Sequence, residues 1–140
     1  MPLKKILFAT NSANHAWHHR SDLAIAALKS GFDVYFLCPD GDEIKYFKTH
    51  GIKHIPLNLS RKGLNPFNEL VTLYNVFKVF YKIKPEIFHG FTIKLIIYGG
   101  IAAKLFKVNK VFLNITGIGS LFLSPSTKYI LARLFVEKIY

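Results

Sequence analysis

The sequence has one cysteine, Cys38, and no long apolar run. A single thiol cannot form a disulfide within the chain, which excludes a disulfide-stabilised secreted scaffold and fits a reducing compartment. The apolar run near the start, residues 6–9, is far shorter than the roughly 7–15 apolar residues of a signal peptide. The most apolar stretch is broken by lysine and glycine between residues 94 and 104, within the roughly 20 residues that a membrane span requires. These absences predict a cytoplasmic protein, and a peripheral position on the inner face of the plasma membrane stays open.

Acidic residues are scarce, and none lies between Glu86 and Glu137. The 19 Lys and Arg against 8 Asp and Glu give the chain a formal net charge of +11. A positive charge of this size points to an anionic partner, which could be a phosphate-bearing substrate, a membrane surface or a nucleic acid. The sequence contains no nucleic-acid-binding motif, so we expect no specific nucleic-acid partner. A chain of this charge nevertheless binds polyanions without specificity.

The loop after the first apolar run lacks glycine. A dinucleotide-binding Rossmann unit carries GxGxxG there, because glycine lets the backbone approach a pyrophosphate. Residues 10–20 read TNSANHAWHHR instead, so we expect no such site and no cofactor. No cysteine or acidic residue accompanies these histidines at metal-ligand spacing, so we expect no metal. We expect Asn11, His15 and Arg20 to lie at the sheet edge and to contact a phosphate or sugar. For His18 and His19, helix capping or packing is an equal alternative.

Apolar strands alternate with helical patterns along the chain. This alternation predicts an α/β fold with a doubly wound parallel sheet of five or six strands, which is Rossmann-like. A chain of 140 residues that is 51% hydrophobic is long enough for one domain with a core. Pro56 indicates that the third strand lies at the sheet edge or bends there. The predicted strands are 4–9, 33–38, 53–59, 86–89 and 110–115, and the predicted helices are 21–30, 42–50, 66–83, 94–106 and one after Ser124 or Ser126.

Residues 86–119 are the unit around which the rest is organised. A strand, a crossover helix and a strand of this length pair the two strands in parallel. In an open parallel sheet, ligands bind at the carboxyl edge, and polar and glycine residues of this unit gather there. Lys94 falls in the first turn of a helix, where the helix dipole already favours anions. The candidate ligand-binding residues of this unit are His89, Thr92, Lys94, Thr116, Gly117 and Gly119. Arg61, from another loop of the same edge, is a further candidate.

Several segments together resemble a known family. They are KKILFATN, HHRSDLAIAALKSGFDVYFLCP, SRKGLNPFNEL, HGFTIKLIIYGGIAAKL and NITGIGSLF. In this combination they resemble the amino-terminal, acceptor-side domain of family 4 glycosyltransferases of the GT-B type, above all the bacterial members that build surface polysaccharides. The resemblance covers nearly the whole chain. This sequence departs from the family pattern at Leu95, where proline is common, and at Ile118, where leucine is common. It also has Phe91 where many relatives carry the second histidine of an HxH pair.

The resemblance implies transfer of a sugar, with retention of configuration and without a metal, from a nucleotide-sugar donor to a lipid-linked or saccharide acceptor. It implies that the acceptor binds this domain and that the donor binds mainly a carboxyl-terminal domain. Residues 1–140 would then be a single Rossmann-like domain, truncated from a longer two-domain protein and inactive alone. An anionic membrane surface would be a further partner. Of the candidate residues, His89 is expected near the reacting centre in a catalytic role, and the others are expected to line the cleft.

Two other classes of function stay open on the sequence alone. One is a stand-alone Rossmann-like module that binds a phosphorylated ligand, against which the missing GxGxxG argues. The other is a basic protein that interacts with membranes or nucleic acid. Its 13 Phe and 7 Tyr invite that interpretation, but most of them fall in patterns that predict burial.

Overall fold

A computed structural model describes residues 3–59 and 66–114 of the chain. Within these ranges the backbone forms strands and helices in strict alternation, as the sequence predicts. The elements are β1 Lys5–Ala9, α1 Ala13–Lys29, β2 Asp33–Cys38, α2 Ile44–His50, β3 Lys53–Pro56, α3 Pro66–Ile83, β4 Ile87–Gly90, α4 Ile93–Leu105 and β5 Lys110–Leu113.

The strands form one parallel sheet in the order β3-β2-β1-β4-β5. The chain builds outward from β1 through β2 to β3, then crosses to the other side of β1 and continues through β4 to β5. The strand order therefore reverses between β1 and β4, where Phe8 pairs with His89 and Ala9 with Gly90. In doubly wound sheets the crevice at the carboxyl ends of these two strands is the ligand-binding position. The predicted edge position of β3 is confirmed for the described sheet.

Two apolar layers enclose the sheet, because successive side chains of a strand point to opposite faces. Ile6 and Phe8 of β1 face α1 and α2, and they pack in one cluster with Ala16 and Phe47. Leu7 and Ala9 face α3 and α4, in a second cluster with residues that include Phe80 and Leu95. Helices on both faces confirm the predicted doubly wound α/β, Rossmann-like fold.

Helix α1 begins at Ala13, whereas the sequence predicted a start near Ser21. The histidine-rich segment is therefore helix and not loop. Ser12 caps the helix, since its Oγ accepts a hydrogen bond of 3.0 Å from the backbone N–H of His15. Trp17 stacks on Tyr46 of α2 at 5.1 Å between ring centroids. Such tertiary packing stabilises a helical turn that local composition does not favour.

The remaining boundaries differ by a few residues. Strand β4 covers Ile87–Gly90, one residue later than predicted, and α2 begins at Ile44, two residues later. Strand β3 ends at Pro56 and not at residue 59, because its partner β2 ends at Cys38 and leaves nothing to pair with. Gly51 ends α2 as predicted, in a left-handed conformation with φ of 84°. Strand β5 ends at Leu113, so the predicted strand 110–115 is too long by at least Asn114. Residue 115 and the predicted final helix lie outside the described residues.

Helix α4 lies very close to the sheet at Gly99. A Cβ at this position would come within 2.5 Å of Cε1 of Phe88 in β4, and closer still to Cζ. Only a residue without a side chain lets the helix approach this far. Gly99 therefore sets the distance between α4 and β4.

No helix within residues 3–59 and 66–114 is long and apolar enough to cross a membrane.

Candidate functional site

The carboxyl ends of β1 and β4 lie beside the first turns of α1 and α4, and we call this edge the crevice, after the position where doubly wound sheets bind ligands. The strands remain paired to their ends, since the N–H of Phe91 donates to the carbonyl of Ala9 at 3.0 Å. Thr10, which follows β1, is fully buried. Both helix N-termini direct backbone N–H groups toward this edge, which favours an anionic ligand. The crevice is therefore the candidate site.

Three side chains form a layered stack in the crevice. The guanidinium of Arg20, from α1, lies 4.4 Å from the ring centroid of Phe91. The imidazole of His89 stacks on the ring of Phe91, with 4.2 Å between ring centroids and 30° between ring planes. Phe91 is fully buried, so its ring contacts both a cation and an imidazole and is not a surface for a sugar. A cation over an aromatic face contributes about 0.5–2 kcal/mol.

Neighbouring strands hold His89 from both sides. Phe8 of β1 and Phe112 of β5 are its register partners, with ring centroids at 5.8 and 5.6 Å. Burial lowers the pKa of His89, the charge of Arg20 lowers it further, and a side-chain hydrogen bond with Asn114 opposes the shift. The imidazole is therefore neutral at neutral pH, with one nitrogen able to accept a hydrogen bond and one able to donate.

Three polar atoms of the crevice are buried without a hydrogen-bond partner in the structure of the described ranges. They are Nε of Arg20, Nε2 of His89 and Oγ1 of Thr92. Leaving a buried polar group unsatisfied costs about 1–3 kcal/mol. Thr92 occupies the N-cap position of α4, yet its side chain makes no capping hydrogen bond. Such atoms in a native fold are candidates for contacts with a ligand.

His15 extends the crevice along α1. Its Nδ1 lies 3.1 Å from Oγ1 of Thr10, and its ring lies 4.9 Å from that of His19. Burial lowers the pKa of His15, and the charges of His19 and Arg20 lower it further. The second imidazole of the site is thus also neutral near pH 7, and it is oriented by a buried hydroxyl.

Lys94 contacts a carboxylate at the rim of the crevice. Its Nζ lies 2.7 Å from Oε1 of Glu69, in the first turn of α3, and the hydroxyl of Tyr98 donates to the other oxygen of Glu69. Burial alone would raise the pKa of Glu69, but the hydrogen bonds from Lys94 and Tyr98 outweigh it and lower that pKa. Burial and the same carboxylate raise the pKa of Tyr98. The ammonium of Lys94 thus ties the start of α4 to the start of α3.

The structure thus brings a part of the predicted residue set together. Asn11 lies half-buried between β1 and the cap of α1. His15, Arg20, His89 and Thr92 line the crevice, and Lys94 lies at its rim. Their contacts with a ligand stay a prediction. The other predicted residues, Arg61, Thr116, Gly117 and Gly119, lie outside the described residues.

Sequence reasoning missed two members of this site. Thr10 is the first polar residue after a buried strand, a signal that could have marked it as a residue of the carboxyl edge. Glu69 was not among the predicted site residues, because its partner Lys94 stands on another helix. Outside the site, Nε2 of His54 lies 2.9 Å from the carbonyl oxygen of Cys38, and His50 is exposed. Within the described ranges no group of three metal-ligating side chains occurs.

The sequence profile of the Glycosyl transferase 4-like family matches residues 5–140. The chain belongs to this family. A curated relative from Campylobacter jejuni, N,N'-diacetylbacillosaminyl-diphospho-undecaprenol alpha-1,3-N-acetylgalactosaminyltransferase, is 27% identical over 137 residues. That alignment covers 97% of this chain and 36% of the relative. The resemblance stated from the sequence motifs, to the amino-terminal domain of a family 4 glycosyltransferase, is confirmed.

Solved structures of glycosyltransferases share the fold. A glycosyltransferase from Rickettsia africae superposes with a TM-score of 0.63 at 20% identity, over 81% of this chain and 30% of that protein. MurG from Acinetobacter baumannii superposes with a TM-score of 0.59 at 23% identity, over 81% of this chain and 34% of that protein. The 140 residues thus span about a third of the length of these relatives.

Proposed function

We propose that this chain is the acceptor-binding half of a retaining glycosyltransferase of bacterial surface-polysaccharide synthesis. The enzyme would move a sugar from a nucleotide-sugar donor to a lipid-linked saccharide. Membership of the glycosyltransferase family supports a transferase, and the curated relative is named for a diphospho-undecaprenol substrate. The alternatives that the sequence left open, a stand-alone binding module and a nucleic-acid-interacting protein, gain no support from these comparisons.

One observation supports the position of the acceptor. The three buried polar atoms without partners in the described structure, on Arg20, His89 and Thr92, belong to side chains that line the crevice where the strand order reverses. Arg20 offers planar donors suited to a phosphate of a lipid diphosphate. A neutral imidazole at His89 suits a sugar hydroxyl, since it can accept a hydrogen bond from it. We assign the diphosphate to Arg20 and the reacting sugar to His89.

Phe91 has a defined part in this proposal. Many relatives carry a second histidine at this position, and phenylalanine cannot replace its hydrogen bonds. Phe91 instead contacts both groups, since the guanidinium of Arg20 lies 4.4 Å and the imidazole of His89 lies 4.2 Å from its ring centroid. In this proposal the buried ring positions Arg20 and His89 for the acceptor. In this proposal, stabilising the leaving nucleotide diphosphate is the task of a second domain of the full-length enzyme.

Transfer by the full-length protein tests the proposal. The assay supplies membranes or extracted undecaprenyl-diphosphate saccharides with radiolabelled nucleotide sugars, and it measures label in the organic-extractable fraction. His89→Ala should lower kcat roughly 100-fold or more, as expected for a group at the reacting centre. Arg20→Ala should mainly raise the KM for the lipid acceptor. His50→Ala, at an exposed site on α2, is the matched control and should leave the rate unchanged.

Two results would contradict the proposal. One is an absence of labelled lipid with every nucleotide sugar tried, although the protein is folded by circular dichroism. The other is a His89→Ala variant with the rate of the His50→Ala control.

A further inference from the structure

A cavity lies at the edge of the sheet opposite the crevice, where β4 and β5 begin. We name it the basal cavity by its lining, residues 80–81, 84–86 and 106–109. Its volume is about 420 Å³, which falls within the range of small-molecule sites, about 300–1,000 Å³. Strand β4 has four residues and separates the basal cavity from the crevice by about 13 Å at 3.3 Å per residue.

One wall of the basal cavity is aromatic. The ring of Phe106 stacks on that of Phe80 with 6.4 Å between centroids, and the ring of Tyr81 also lies 6.4 Å from Phe106. Phe80 is fully buried, whereas Phe106 is 36% and Tyr81 68% exposed. An aromatic wall that is partly open to solvent can bind a planar ring by stacking.

Two lysines of the basal cavity have an unusual backbone conformation. Lys84 directly follows α3, Lys107 lies two residues after α4, and each has a φ of 54°. Within residues 3–59 and 66–114, they are the two residues other than glycine with positive φ. Glycine is common at such helix ends, because a Cβ makes the left-handed conformation unfavourable. Lysine at both positions therefore lowers the stability of the fold.

The needs of the helix ends do not explain these two lysines. Lys82 and Lys104 already place an ammonium group in the last turn of α3 and of α4, where a cation interacts favourably with the helix dipole. The carbonyl of Ile83, at the end of α3, accepts a hydrogen bond of 3.2 Å from Nζ of Lys5. An unfavourable conformation that occurs twice in one cavity points to a function of the side chains.

The charge of the basal cavity is positive. Among its described lining residues, Lys84 and Lys107 carry ammonium groups and Glu86 carries a carboxylate. Glu86 makes no ion pair within the described ranges. The lining thus has an excess of one positive charge, which favours an anionic ligand over a neutral or cationic one.

We propose that the basal cavity binds a small anion that contains an aromatic ring. The ring would lie against Phe106 and Tyr81, and the anionic group, a carboxylate or a phosphate, would accept hydrogen bonds from Lys84 and Lys107. The carboxylate of Glu86 suits a hydroxyl or amino group of the same ligand, since it only accepts hydrogen bonds. Binding at this edge of the sheet does not depend on the transfer reaction proposed above.

The fluorescence of 8-anilinonaphthalene-1-sulfonate, an aromatic anion, measures binding to the full-length protein. Lys84→Gln combined with Lys107→Gln removes both ammonium groups and keeps long polar side chains. This pair should raise the Kd of the probe at least about tenfold, because hydrogen bonds from charged donors are the stronger ones. The matched control is Lys29→Gln combined with Lys48→Gln, which are exposed lysines of α1 and α2, and it should bind the probe as the wild type does.

Competition with the probe identifies the anionic group of the ligand. Indole-3-acetate offers a ring with a carboxylate, and adenosine monophosphate offers a ring with a phosphate. The compound that displaces the probe at the lower concentration assigns the group. Indole and adenosine lack the anionic group and should compete at least about tenfold less well than their anionic counterparts.

Glycine variants separate ligand binding from folding. Lys84→Gly combined with Lys107→Gly should weaken probe binding as the glutamine pair does. It should also raise the midpoint of thermal unfolding by roughly 2–4 °C, because glycine relieves the left-handed strain. A requirement of the fold for lysine would instead lower that midpoint.

Four results would overturn the inference. The first is a folded wild type that does not bind the probe, and the second is equal affinity in the glutamine test pair and the control pair. The third is displacement by indole and adenosine as effective as by the two anions. The fourth is a glycine pair with a lower unfolding midpoint than the wild type, which would assign the lysines to the fold.

Discussion

Replacing Gly99 with alanine tests how tightly helix α4 packs on the sheet. In an isolated helix this change is favourable, because alanine has a helix propensity about 1 kcal/mol better than that of glycine. In this fold the new methyl group would lie 2.5 Å from Cε1 of Phe88 and nearer to Cζ. Carbon atoms in contact normally lie about 3.5–4.0 Å apart. Either the ring or the helix must therefore move.

Neither can move easily. Phe88 is fully buried in the middle of β4, and its ring lies 5.1 Å from that of Phe80 in α3. Overpacking of a well-filled core costs about 1–3 kcal/mol, and this overlap belongs at the upper end of that range. After the gain in propensity, we expect Gly99→Ala to lower the free energy of unfolding by about 2 kcal/mol.

Urea unfolding followed by circular dichroism measures this difference as a lower midpoint at unchanged slope. The matched variant is Phe88→Leu, which removes the ring. Combined with Phe88→Leu, the Gly99→Ala change should become neutral or stabilising, so the double-mutant cycle should give a coupling energy of about 2 kcal/mol or more. If Gly99→Ala stabilised the wild-type protein by the full propensity difference, the packing of α4 on β4 would not be as close as the structure has it.

Two further predictions concern titration and reactivity. Burial lowers the pKa of His15 and of His89 from the ordinary value of 6.5, so below that pH the unfolded chain binds more protons than the folded chain and stability rises with pH. The free energy of unfolding should therefore fall as the pH is lowered from 7 to 5, and less steeply in His89→Gln; a fall of equal slope would contradict the shift at His89. Burial also raises the pKa of Cys38 to about 12. Iodoacetamide at pH 8 should therefore label Cys38 no faster than the protein unfolds, and labelling should speed up when urea unfolds the chain. Labelling of Cys38 at the rate of a free thiol in native buffer would refute that expectation.

Local sequence signals predicted most of the elements. Asp33–Cys38 is a strand with the predicted bounds, and α4 is displaced by one residue at each end. Gly31 and Pro39 flank the apolar strand, so its pattern and its stop signals agree. The start of α1 was wrong for the opposite reason. Its histidines and asparagine favour a loop locally, and the Ser12 cap together with the packing of Trp17 on α2 stabilises that part of the helix.

The sequence predicted the position of the candidate site at the carboxyl edge of the sheet, but it did not predict the contacts between the site's side chains. Parallel strands end at the same edge, so His89 and Thr92 could be placed there from the chain order alone. The stack of Arg20, Phe91 and His89 could not, because it depends on the strand order, which brings β4 beside β1. The partner of Lys94 was missed for a related reason: Glu69 belongs to a different helix, and the two meet because α3 and α4 begin at the same edge on the same face.

The central position of β1 sets an order for folding during synthesis. Ile6 pairs on one side with Val34, which the ribosome releases soon after it, and on the other side with Ile87, which emerges much later. Until β4 has left the exit tunnel, the nascent chain presents one open edge of its most apolar strand. Contacts of such long sequence separation form slowly, and an open edge invites pairing with other chains. A change in translation rate or in chaperone binding while the chain between β3 and β4 is being synthesised would therefore alter the yield of folded protein more than the same change elsewhere in the described chain.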